Sequence, residues 1–263
     1  MPDKKPSTAL ITGASRGIGF ALTKVIARHG HDVIMVARKN DALEAAAGMI
    51  EGKFGVRAIA IRADLSEPTA PRELLDAVQS QGTEVGILVN NAGFGLGGEF
   101  LETDLDRELE MIEVNIAAVT QLTKLFGAPM LKRREGRIMN VASTAGFQPG
   151  PLMSVYYATK AYVLSFSQAI AEELRKTGVT VTALCPGATA TDFADTAQIS
   201  NTRLFKRLGV ADPDPIAEYG YKAMMRGDRI AIPGLRDKVM IQAERFAPRR
   251  LITAITRRVQ ESR

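Results

Sequence analysis

Short apolar runs alternate along the chain with longer segments in which apolar residues recur every three or four positions. The runs have the length of strands and cover Thr8–Thr12, Val33–Ala37, Arg57–Arg62, Gly86–Val89, Arg137–Ala142, Val179–Leu184 and Arg229–Ile232. The segments between them have helical spacing, and the connections are short. This alternation predicts an α/β fold with a single doubly wound parallel sheet of about seven strands and helices on both faces.

Two long helices and one irregular region stand out in this pattern. The helix over Thr103–Lys132 is expected to bend or end near Gly127 and Pro129, because proline disrupts a helix interior. The second helix covers about Met153–Thr177. Beyond residue 186 the alternation weakens, so the segment from about 187 to 212 is predicted to be an irregular lid over a substrate site.

The composition is that of an ordinary globular chain. Hydrophobic residues make up 46% and charged residues 24%, which argues against a disordered or collagen-like protein. Cys185 is the only cysteine, so no internal disulfide is possible, and we expect it to be buried at a strand end. No apolar run approaches 18 residues, and the charged start Met1–Pro6 precedes no long hydrophobic stretch. We therefore expect a cytoplasmic protein.

The net charge of +5 is concentrated at the end of the chain. Residues 236–263 carry eight Lys/Arg against three Asp/Glu, a surplus of five, so residues 1–235 are neutral. This change divides the chain into a predicted main domain, residues 1–235, and a basic helical extension, residues 236–263. A neutral main domain argues against a nucleic-acid-binding surface.

The basic extension divides at Pro248, which cannot lie in a helix interior without breaking it. One face of the helix predicted after it is apolar, and basic residues surround that face. The apolar residues are Leu251, Ile252, Ile255 and Val259, and the basic residues are Arg249, Arg250, Arg257 and Arg258. Two interpretations follow: a helix docked on the main domain with a solvated basic rim, or an interfacial helix attracted to anionic lipid.

A glycine-rich turn follows the first predicted strand directly. Residues 13–19 read Gly-Ala-Ser-Arg-Gly-Ile-Gly and lead into a helix. A helix N-terminus offers unpaired N–H groups and partial positive charge, and glycine lets the backbone approach phosphate oxygens. The order of strand, glycine turn and helix predicts a dinucleotide site, with a purely structural turn as the alternative.

The end of the second predicted strand indicates which dinucleotide binds. NAD sites usually carry an acidic residue there for the ribose hydroxyls, whereas a 2′-phosphate requires arginine. This chain has Arg38, nineteen residues after Gly19, and a second arginine, Arg16, within the glycine turn. Two guanidinium groups near one phosphate favour NADP(H). The alternative is that both arginines are solvated surface residues.

A tyrosine and a lysine lie four residues apart in the second long helix. Tyr156 and Lys160 therefore share one helical face, with Cβ atoms roughly 5 to 6 Å apart. A phenol with an ordinary pKa of about 10 is a poor acid-base catalyst near neutrality, but a neighbouring ammonium favours the phenolate and lowers the pKa. With a lowered pKa, Tyr156 can exchange a proton with an alcohol or a carbonyl.

These features belong to a larger set of motifs between Thr8 and Thr191. The set comprises Thr12-Gly13-Ala14-Ser15-Arg16-Gly17-Ile18-Gly19, Asp64, Asn90-Asn91-Ala92-Gly93, Asn115, Ser143, Tyr156-x3-Lys160 and Pro186-Gly187-x3-Thr191. In this order and spacing the chain resembles the short-chain dehydrogenase/reductase family. The resemblance implies a Rossmann-type fold over residues 1–235 and a nicotinamide cofactor.

The resemblance also implies roles for four catalytic residues. Tyr156 is expected to be the general acid in reduction and the general base in oxidation. Lys160 is expected to lower the pKa of that phenol and to bind the nicotinamide ribose, while Ser143 holds the substrate oxygen. Asn115 is expected to shape its helix and to support a water between the lysine and solvent.

Cofactor contacts are expected at the glycine turn, at the two arginines and at the positions that match the family. These are Gly13, Ser15, Arg16, Gly17, Ile18, Gly19, Arg38, Asp64, Leu65, Asn90, Ala92, Gly93, Tyr156, Lys160, Pro186, Gly187, Thr189 and Thr191. Apolar residues after the strand ends predict a pocket for a ketone, a secondary alcohol or an acyl chain. They are Phe94, Leu96, Phe147, Met153 and Phe193. The alternative is that these residues pack the lid against the domain.

We therefore expect an NADP(H)-dependent oxidoreductase that interconverts an apolar ketone or aldehyde and its alcohol by hydride transfer. The alternative is an NADP(H)-binding sensor or scaffold of the same fold without catalysis. No metal site is expected, since histidine, cysteine and carboxylate residues do not recur at ligand spacing. By resemblance, the long helices containing Asn115 and Tyr156 predict a homodimer, with a homotetramer as the alternative. The extension after the last strand differs from bacterial 3-oxoacyl carrier-protein reductases and is closer to reductases grouped with hydroxysteroid and long-chain ketone enzymes.

Overall fold

A seven-stranded parallel sheet organises the part of the chain that the computed structural model describes, which is residues 7–197, 199, 202, 210–244 and 246–261. The strands are β1 Thr8–Thr12, β2 Val33–Ala37, β3 Ala58–Arg62, β4 Val85–Asn90, β5 Gly136–Val141, β6 Val179–Leu184 and β7 Ile230–Ala231. Their order is β3-β2-β1-β4-β5-β6-β7. The predicted doubly wound sheet of about seven strands is confirmed.

Helices cover both faces of this sheet. They are α1 Gly17–Arg28, α2 Asn40–Phe54, α3 Ala70–Ser80, α4 Leu105–Ile112, α5 Val119–Arg133, α6 Ser154–Glu173, α7 Phe193–Thr196, α8 Pro213–Arg226, α9 Leu235–Glu244 and α10 Arg249–Gln260. Helices α1, α2 and α8 pack on one face of the sheet, and helices α3, α5 and α6 pack on the other. Among the described residues, no helix has the length and apolar character needed to cross a membrane.

The side chains of adjacent residues in the central strands lie on opposite faces of the sheet. Ile11 lies in the core under α1, α2 and α8, whereas Leu10 lies in the core under α3, α5 and α6. Both side chains are fully buried. A strand covered on both faces needs apolar residues at every position, which explains the continuous apolar runs in the sequence. Cys185, directly after β6, is buried as predicted.

The strand order reverses between β1 and β4. From β1 the chain builds outward to β2 and β3, and it then returns to place β4 on the other side of β1. In an open parallel sheet, a crevice forms outside the carboxyl ends of the strands at such a reversal. The glycine turn follows β1 at this point, so the fold brings the turn to the crevice.

The long helix before β5 deviates from the prediction. It continues through Gly127 and Pro129 to Arg133, so the helix does not end near those two residues. The irregularity lies earlier, where the π-helical segment Glu113–Ala118 joins α4 to α5. A π segment inserts one extra residue per turn, and such segments are frequent at functional sites. Asn115 lies in this segment.

The chain after β7 forms α9 and α10, which fold back over the carboxyl edge of the sheet. Thr256 and Gln260 are the buried residues of α10, whereas Leu251 and Ile255 remain 52% and 55% exposed. The predicted apolar stripe is therefore only partly buried. Polar contacts fix the rotation of the helix instead, because Gln260 is hydrogen bonded to Tyr157.

The predicted lid from about 187 to 212 is only partly described. It contains the short helix α7 and an isolated bridge between Thr189 and Ala211. Residues 198, 200, 201 and 203–209 lie outside the described part of the chain.

Candidate active site

A cavity of about 810 Å³ lies at the carboxyl ends of the central strands. It begins at the glycine turn, passes the end of β5 and α6, and ends under α9 and α10. Most of the residues expected to contact a cofactor line its first half, and Tyr156 lies where the two halves meet. The tertiary structure thus brings most of the predicted cofactor, catalytic and substrate residues to one continuous space.

The geometry of the glycine turn suits a phosphate group. Gly13 and Gly17 have left-handed φ angles of 65° and 57°, a conformation that glycine adopts at little cost. A Cβ on Gly13 would lie 2.7 Å from the Asn91 side-chain nitrogen. Within the described residues, no side chain caps the N-terminus of α1, so its first N–H groups face the cavity without a side-chain acceptor.

Gly19 has a different role from the one expected. A Cβ at this position would lie 2.2 Å from the Gly13 carbonyl oxygen and 2.4 Å from Asn91 Nδ2. Gly19 therefore allows close packing of α1 behind the turn, while Gly13, Ser15, Arg16, Gly17 and Ile18 are the residues of the turn that line the cavity.

Basic residues surround the cavity wall at the ends of β2 and β3. Arg16, Arg38 and also Lys39, which the sequence analysis did not identify, line this region. Arg38 Nη1 lies 3.2 Å from Glu110 Oε1, and Arg16 Nη1 lies 2.8 Å from Asp192 Oδ2. These ion pairs are solvent exposed, and exposed pairs contribute little to stability. A phosphate can therefore replace either carboxylate as the partner of the arginine with little loss of stability.

Asp64 and Leu65 line the same region after β3. Burial alone would raise the pKa of the Asp64 carboxyl, but hydrogen bonds from Ser66 and the charges of Arg38 and Arg62 lower it below its ordinary value. The Ser66 hydroxyl donates to Asp64 Oδ1 at 2.7 Å. Asp64 is therefore ionised near neutrality and fixed in one orientation.

Tyr156 is buried at the centre of the cavity. Its hydroxyl lies close enough to Ser143, which follows β5, for Ser143 to influence its pKa, and its ring packs on Phe193 with centroids 5.1 Å apart. Burial raises the pKa of Tyr156 well above its ordinary value, and the nearby Ser143 hydroxyl offsets only part of this rise. The expected lowering of this pKa by Lys160 is therefore wrong for the structure as it stands.

The orientation of Lys160 explains this difference. Its ammonium donates to the Val141 carbonyl oxygen at 2.9 Å and lies 5.8 Å from the centre of the Tyr156 ring. Burial lowers the pKa of Lys160 from 10.5 to about 8, because a charged ammonium is poorly solvated there. At pH 7 the phenol is thus neutral, and the lysine still carries its proton.

Ser143 also holds the backbone of the turn after β5. Its hydroxyl oxygen accepts a hydrogen bond from the Ala145 N–H at 3.1 Å and begins the short 3-10 helix Thr144–Phe147. The turn fixes the Ser143 side chain beside Tyr156. The two hydroxyl groups can therefore contact the same substrate oxygen.

Asn115 connects the irregular helix to the residues around Lys160. Its side-chain nitrogen donates to the Phe94 carbonyl and to Thr159 Oγ1, both at 3.0 Å, and its Oδ1 accepts from the Phe94 N–H at 3.2 Å. A Cβ on Gly93 would lie 2.8 Å from Asn115 Oδ1 and 3.5 Å from Lys160 Nζ. Asn115 is thus a positioning residue that fixes the loop after β4 next to the lysine.

The two asparagines of the Asn90-Asn91-Ala92-Gly93 turn have separate roles. Asn90 is buried and donates to Thr123 Oγ1 at 3.0 Å and to Asn140 Oδ1 at 2.8 Å, so it connects β4 to β5 and α5. Asn91 lines the cavity and donates to the Thr12 carbonyl at 2.9 Å. Asn90 therefore does not line the cavity, whereas Asn91, Ala92 and Gly93 do.

The segment after β6 forms the wall opposite the glycine turn. Pro186, Gly187, Thr189 and Thr191 all line the cavity. A Cβ on Gly17 would lie 3.1 Å from Thr191 Cγ2, so this wall approaches the glycine turn closely.

Three of the five expected substrate residues line the cavity: Phe94, Met153 and Phe193. Leu96 packs behind them in the same hydrophobic cluster. The expectation for Phe147 is wrong, because its ring packs instead with Val163, Cys185 and their neighbours in a separate cluster. The 3-10 helix after Ser143 turns this side chain away from the cavity.

Several residues of the cavity escaped the sequence analysis. Tyr157, Glu244 and Gln260 line its far end, together with apolar residues of the same two C-terminal helices. The only available signal was the Tyr-Tyr pair at 156–157, since nothing in the local pattern of residue 244 or 260 distinguishes them from surface positions.

The family profile for short chain dehydrogenase matches residues 7–201. The chain belongs to the short-chain dehydrogenase family. The match covers the sheet as far as β6, the glycine turn and the Tyr156 and Lys160 pair.

Individual members of the short-chain dehydrogenase family are similar over most of the chain. A very-long-chain 3-oxoacyl-CoA reductase from Homo sapiens is 36% identical over 192 residues, which are 71% of this chain and 60% of that protein. The chain spans about three fifths of the length of the first curated relatives it matches.

Two solved structures are similar to this one over most of both chains. A short-chain dehydrogenase from Sphingobium yanoikuyae in complex with NADPH has a TM-score of 0.82 and 32% identity over 91% of this chain and 94% of that chain. A bulky-bulky ketone specific alcohol dehydrogenase from Comamonas testosteroni has a TM-score of 0.78 and 31% identity over 92% of this chain and 94% of that chain.

Proposed function

We propose that this protein is an NADP(H)-dependent oxidoreductase that interconverts an apolar ketone or aldehyde and its alcohol. The observation that carries the proposal is the position of the buried Tyr156, together with Ser143 and Lys160, in the middle of a cavity that also contains the glycine turn. The dinucleotide binds in the first half, the carbonyl compound in the second, and the reacting atoms meet at Tyr156. Support also comes from the similar structures, one an NADPH complex and one specific for bulky ketones.

When bound, the nicotinamide supplies a hydride to the carbonyl carbon or accepts one from the alcohol. Ser143 orients the substrate oxygen, and Tyr156 donates a proton to that oxygen in reduction. A phenol with a raised pKa holds its proton at pH 7, as the proton donor in reduction must, but the raised pKa also makes it a weaker acid. Lys160 provides a positive charge close to the phenol, and Asn115 fixes the loop beside it.

The preference for NADP(H) is tested by comparing the two reduced cofactors. Arg38→Ala is expected to raise KM for NADPH roughly 10- to 100-fold, because a hydrogen bond to a charged group is worth about 1.5–3 kcal/mol, and to change KM for NADH little. Arg57→Ala is the matched control, since Arg57 lies at the opposite edge of the sheet, before β3. Initial rates with a panel of ketones and aldehydes measure both constants.

A wild-type protein that uses NADH better than NADPH would show that Arg16 and Arg38 are ordinary surface arginines. Tight NADPH binding without turnover on a broad panel would instead support a sensor or scaffold protein.

We also propose that two copies of the chain associate through the long helices containing Asn115 and Tyr156, which are α4 with α5, and α6. Leu105, Leu109 and Ile112 form an apolar stripe on α4 and are 67%, 53% and 38% exposed. Contiguous exposed apolar residues of this kind mark association surfaces. A two-fold axis across α4 would bury the same stripe on both copies.

Sedimentation equilibrium tests this association. The wild type is expected to have about twice the chain mass of 28.4 kDa, and Leu109→Glu is expected to have the mass of one chain, since it buries unpaired charge. The control is Met49→Glu, which alters an equally exposed apolar residue on α2. A dimer that persists in Leu109→Glu would exclude this surface.

A further inference from the structure

The far end of the cavity contains a polar group of residues that the proposed reaction does not use. Tyr157 follows Tyr156 on α6, but its ring is nearly perpendicular to that of Tyr156, with an interplanar angle of 79° and centroids 6.1 Å apart. Its hydroxyl lies 2.6 Å from Gln260 Nε2 on α10. The second long helix thus presents one phenol to the reacting carbonyl and the next phenol to the C-terminal helices.

Tyr157 is held rigidly in this orientation. A Cβ on Gly150 would lie 2.2 Å from the Tyr157 ring, so the ring stacks directly on the backbone of that glycine. Tyr157 and Gln260 are only 7% and 3% exposed. Side chains packed in this way hold their polar atoms at fixed positions in the cavity.

Two acceptor atoms beside this phenol are not satisfied by the protein. Gln260 Oε1 and Glu244 Oε2 are buried, and neither has a hydrogen-bond partner among the residues that the structure describes. Both residues line the cavity, and the Glu244 charge interacts with Tyr157. Buried acceptors without partners are rare in native proteins because each has lost its hydration without compensation.

We propose that Gln260 and Glu244 form a second binding site, which accepts hydrogen bonds from an O–H or N–H group at the far end of an otherwise apolar substrate. This inference rests on the proposed function, because the same substrate places its carbonyl at Tyr156. Phe94, Met153 and Phe193 line the space that holds its apolar body. A compound with a hydroxyl or amide at one end and a ketone at the other satisfies both sites together.

The chemistry of the site also defines what it rejects. A ligand with a methyl group at this end leaves both acceptors unpaired, and a site built to bind a hydroxyl discriminates strongly against such an analogue. A ligand with a carboxylate there meets the Glu244 charge and a Gln260 oxygen, with no positive charge among the residues that line this end in the described part of the chain. The site therefore selects neutral hydrogen-bond donors over apolar and acidic ends.

Equilibrium binding of matched ketones tests this inference without requiring turnover. The probes are methyl ketones of four to ten carbons, each compared with the same ketone carrying a terminal hydroxyl, and titration calorimetry is run with and without NADP+. At the chain length that spans the two sites, we expect the hydroxylated ketone to bind roughly 10- to 100-fold more tightly. Shorter and longer pairs are expected to differ less.

Two variants and one control locate the effect. Gln260→Met and Glu244→Met are each expected to reduce the preference at the optimal length about tenfold. Gln242→Met should leave it unchanged, because Gln242 is an exposed residue of α9 with the same side chain as Gln260. Equal affinities within every pair, no binding of either series, or an undiminished preference in both methionine variants would overturn the inference.

Turnover of a short ketone separates this inference from the proposed function. Butanone is too short to reach the second site, so its NADPH-dependent reduction tests the Tyr156 chemistry alone. Loss of the hydroxyl preference with butanone turnover intact refutes only the second site. A clear hydroxyl preference without turnover of any ketone refutes only the proposed reaction.

Discussion

Tyr156→Phe is expected to reduce the rate of carbonyl reduction by about 10²- to 10⁴-fold, the range that a positioned general acid contributes. The substitution removes only the phenol hydroxyl, which lies near Ser143. The ring that packs on Phe193 and Tyr157 remains, so the cavity keeps its shape. The loss should therefore appear in kcat, with little change in the KM for either substrate.

Steady-state kinetics and thermal unfolding together test this expectation. Removal of one buried hydroxyl group costs about 1 kcal/mol, so the variant should remain folded at the assay temperature. Tyr219→Phe is the matched control, because it removes a hydroxyl from α8, outside the cavity. A Tyr156→Phe enzyme with near-normal kcat would show that another group supplies the proton.

Lys160→Met is expected to reduce kcat/KM by at least about 10²-fold, because it removes the positive charge next to the phenol. In the wild type, reduction should be fastest below pH 8, where Tyr156 and Lys160 both hold their protons. The rate should then fall as the pH rises through the lysine pKa of about 8. The pH profile of kcat/KM checks this, and a profile without a break near pH 8 would contradict the assigned role.

The same substitution is expected to stabilise the folded protein although it lowers activity. The size of this stabilisation depends on pH. The pKa of Lys160 is 10.5 in the unfolded chain and about 8 in the folded protein. Between these values the unfolded state binds more protons, so the stability of the wild type rises with pH across this window. Below pH 8 both states are protonated, and the cost of burying the ammonium is fully present.

Urea unfolding of both proteins measures this cost. Between pH 7.5 and pH 10.5, the free energy of unfolding of the wild type is expected to rise by up to about 3 kcal/mol relative to that of Lys160→Met. Each unit of pKa shift corresponds to about 1.4 kcal/mol. Comparing the two proteins at each pH cancels the other titrating groups. A stability difference that stays constant over this range would mean that Lys160 is not buried as an ammonium.

The strands and the glycine turn could be predicted because their causes are local. A strand covered on both faces must be apolar at every position, and β1, β2 and β6 are found at the predicted residues. Gly13 and Gly17 were identifiable because their backbone conformations exclude most other residues. Tyr156 and Lys160 share a helical face through spacing alone.

The remaining features depend on which distant residues meet. Asn115 occupies a π-helical segment because its amide binds the backbone of Phe94, 21 residues earlier. The hydrogen bond between Tyr157 and Gln260 joins residues 103 apart, and no local pattern encodes it. The pKa of Tyr156 is raised because the assembled fold excludes water from the phenol, and this effect outweighs the opposite influence of the nearby Ser143.

The sequence by itself therefore determined the family, the succession of strands and helices along the chain and the residues able to carry out proton transfer. Periodicity and spacing record which side of each element is buried, and that is sufficient for those features. The tertiary structure alone decided the protonation of Tyr156 and Lys160, the removal of Phe147 from the cavity and the closure of its far end by Glu244 and Gln260. These properties follow from desolvation and from contacts between distant segments, which exist only after the chain has folded.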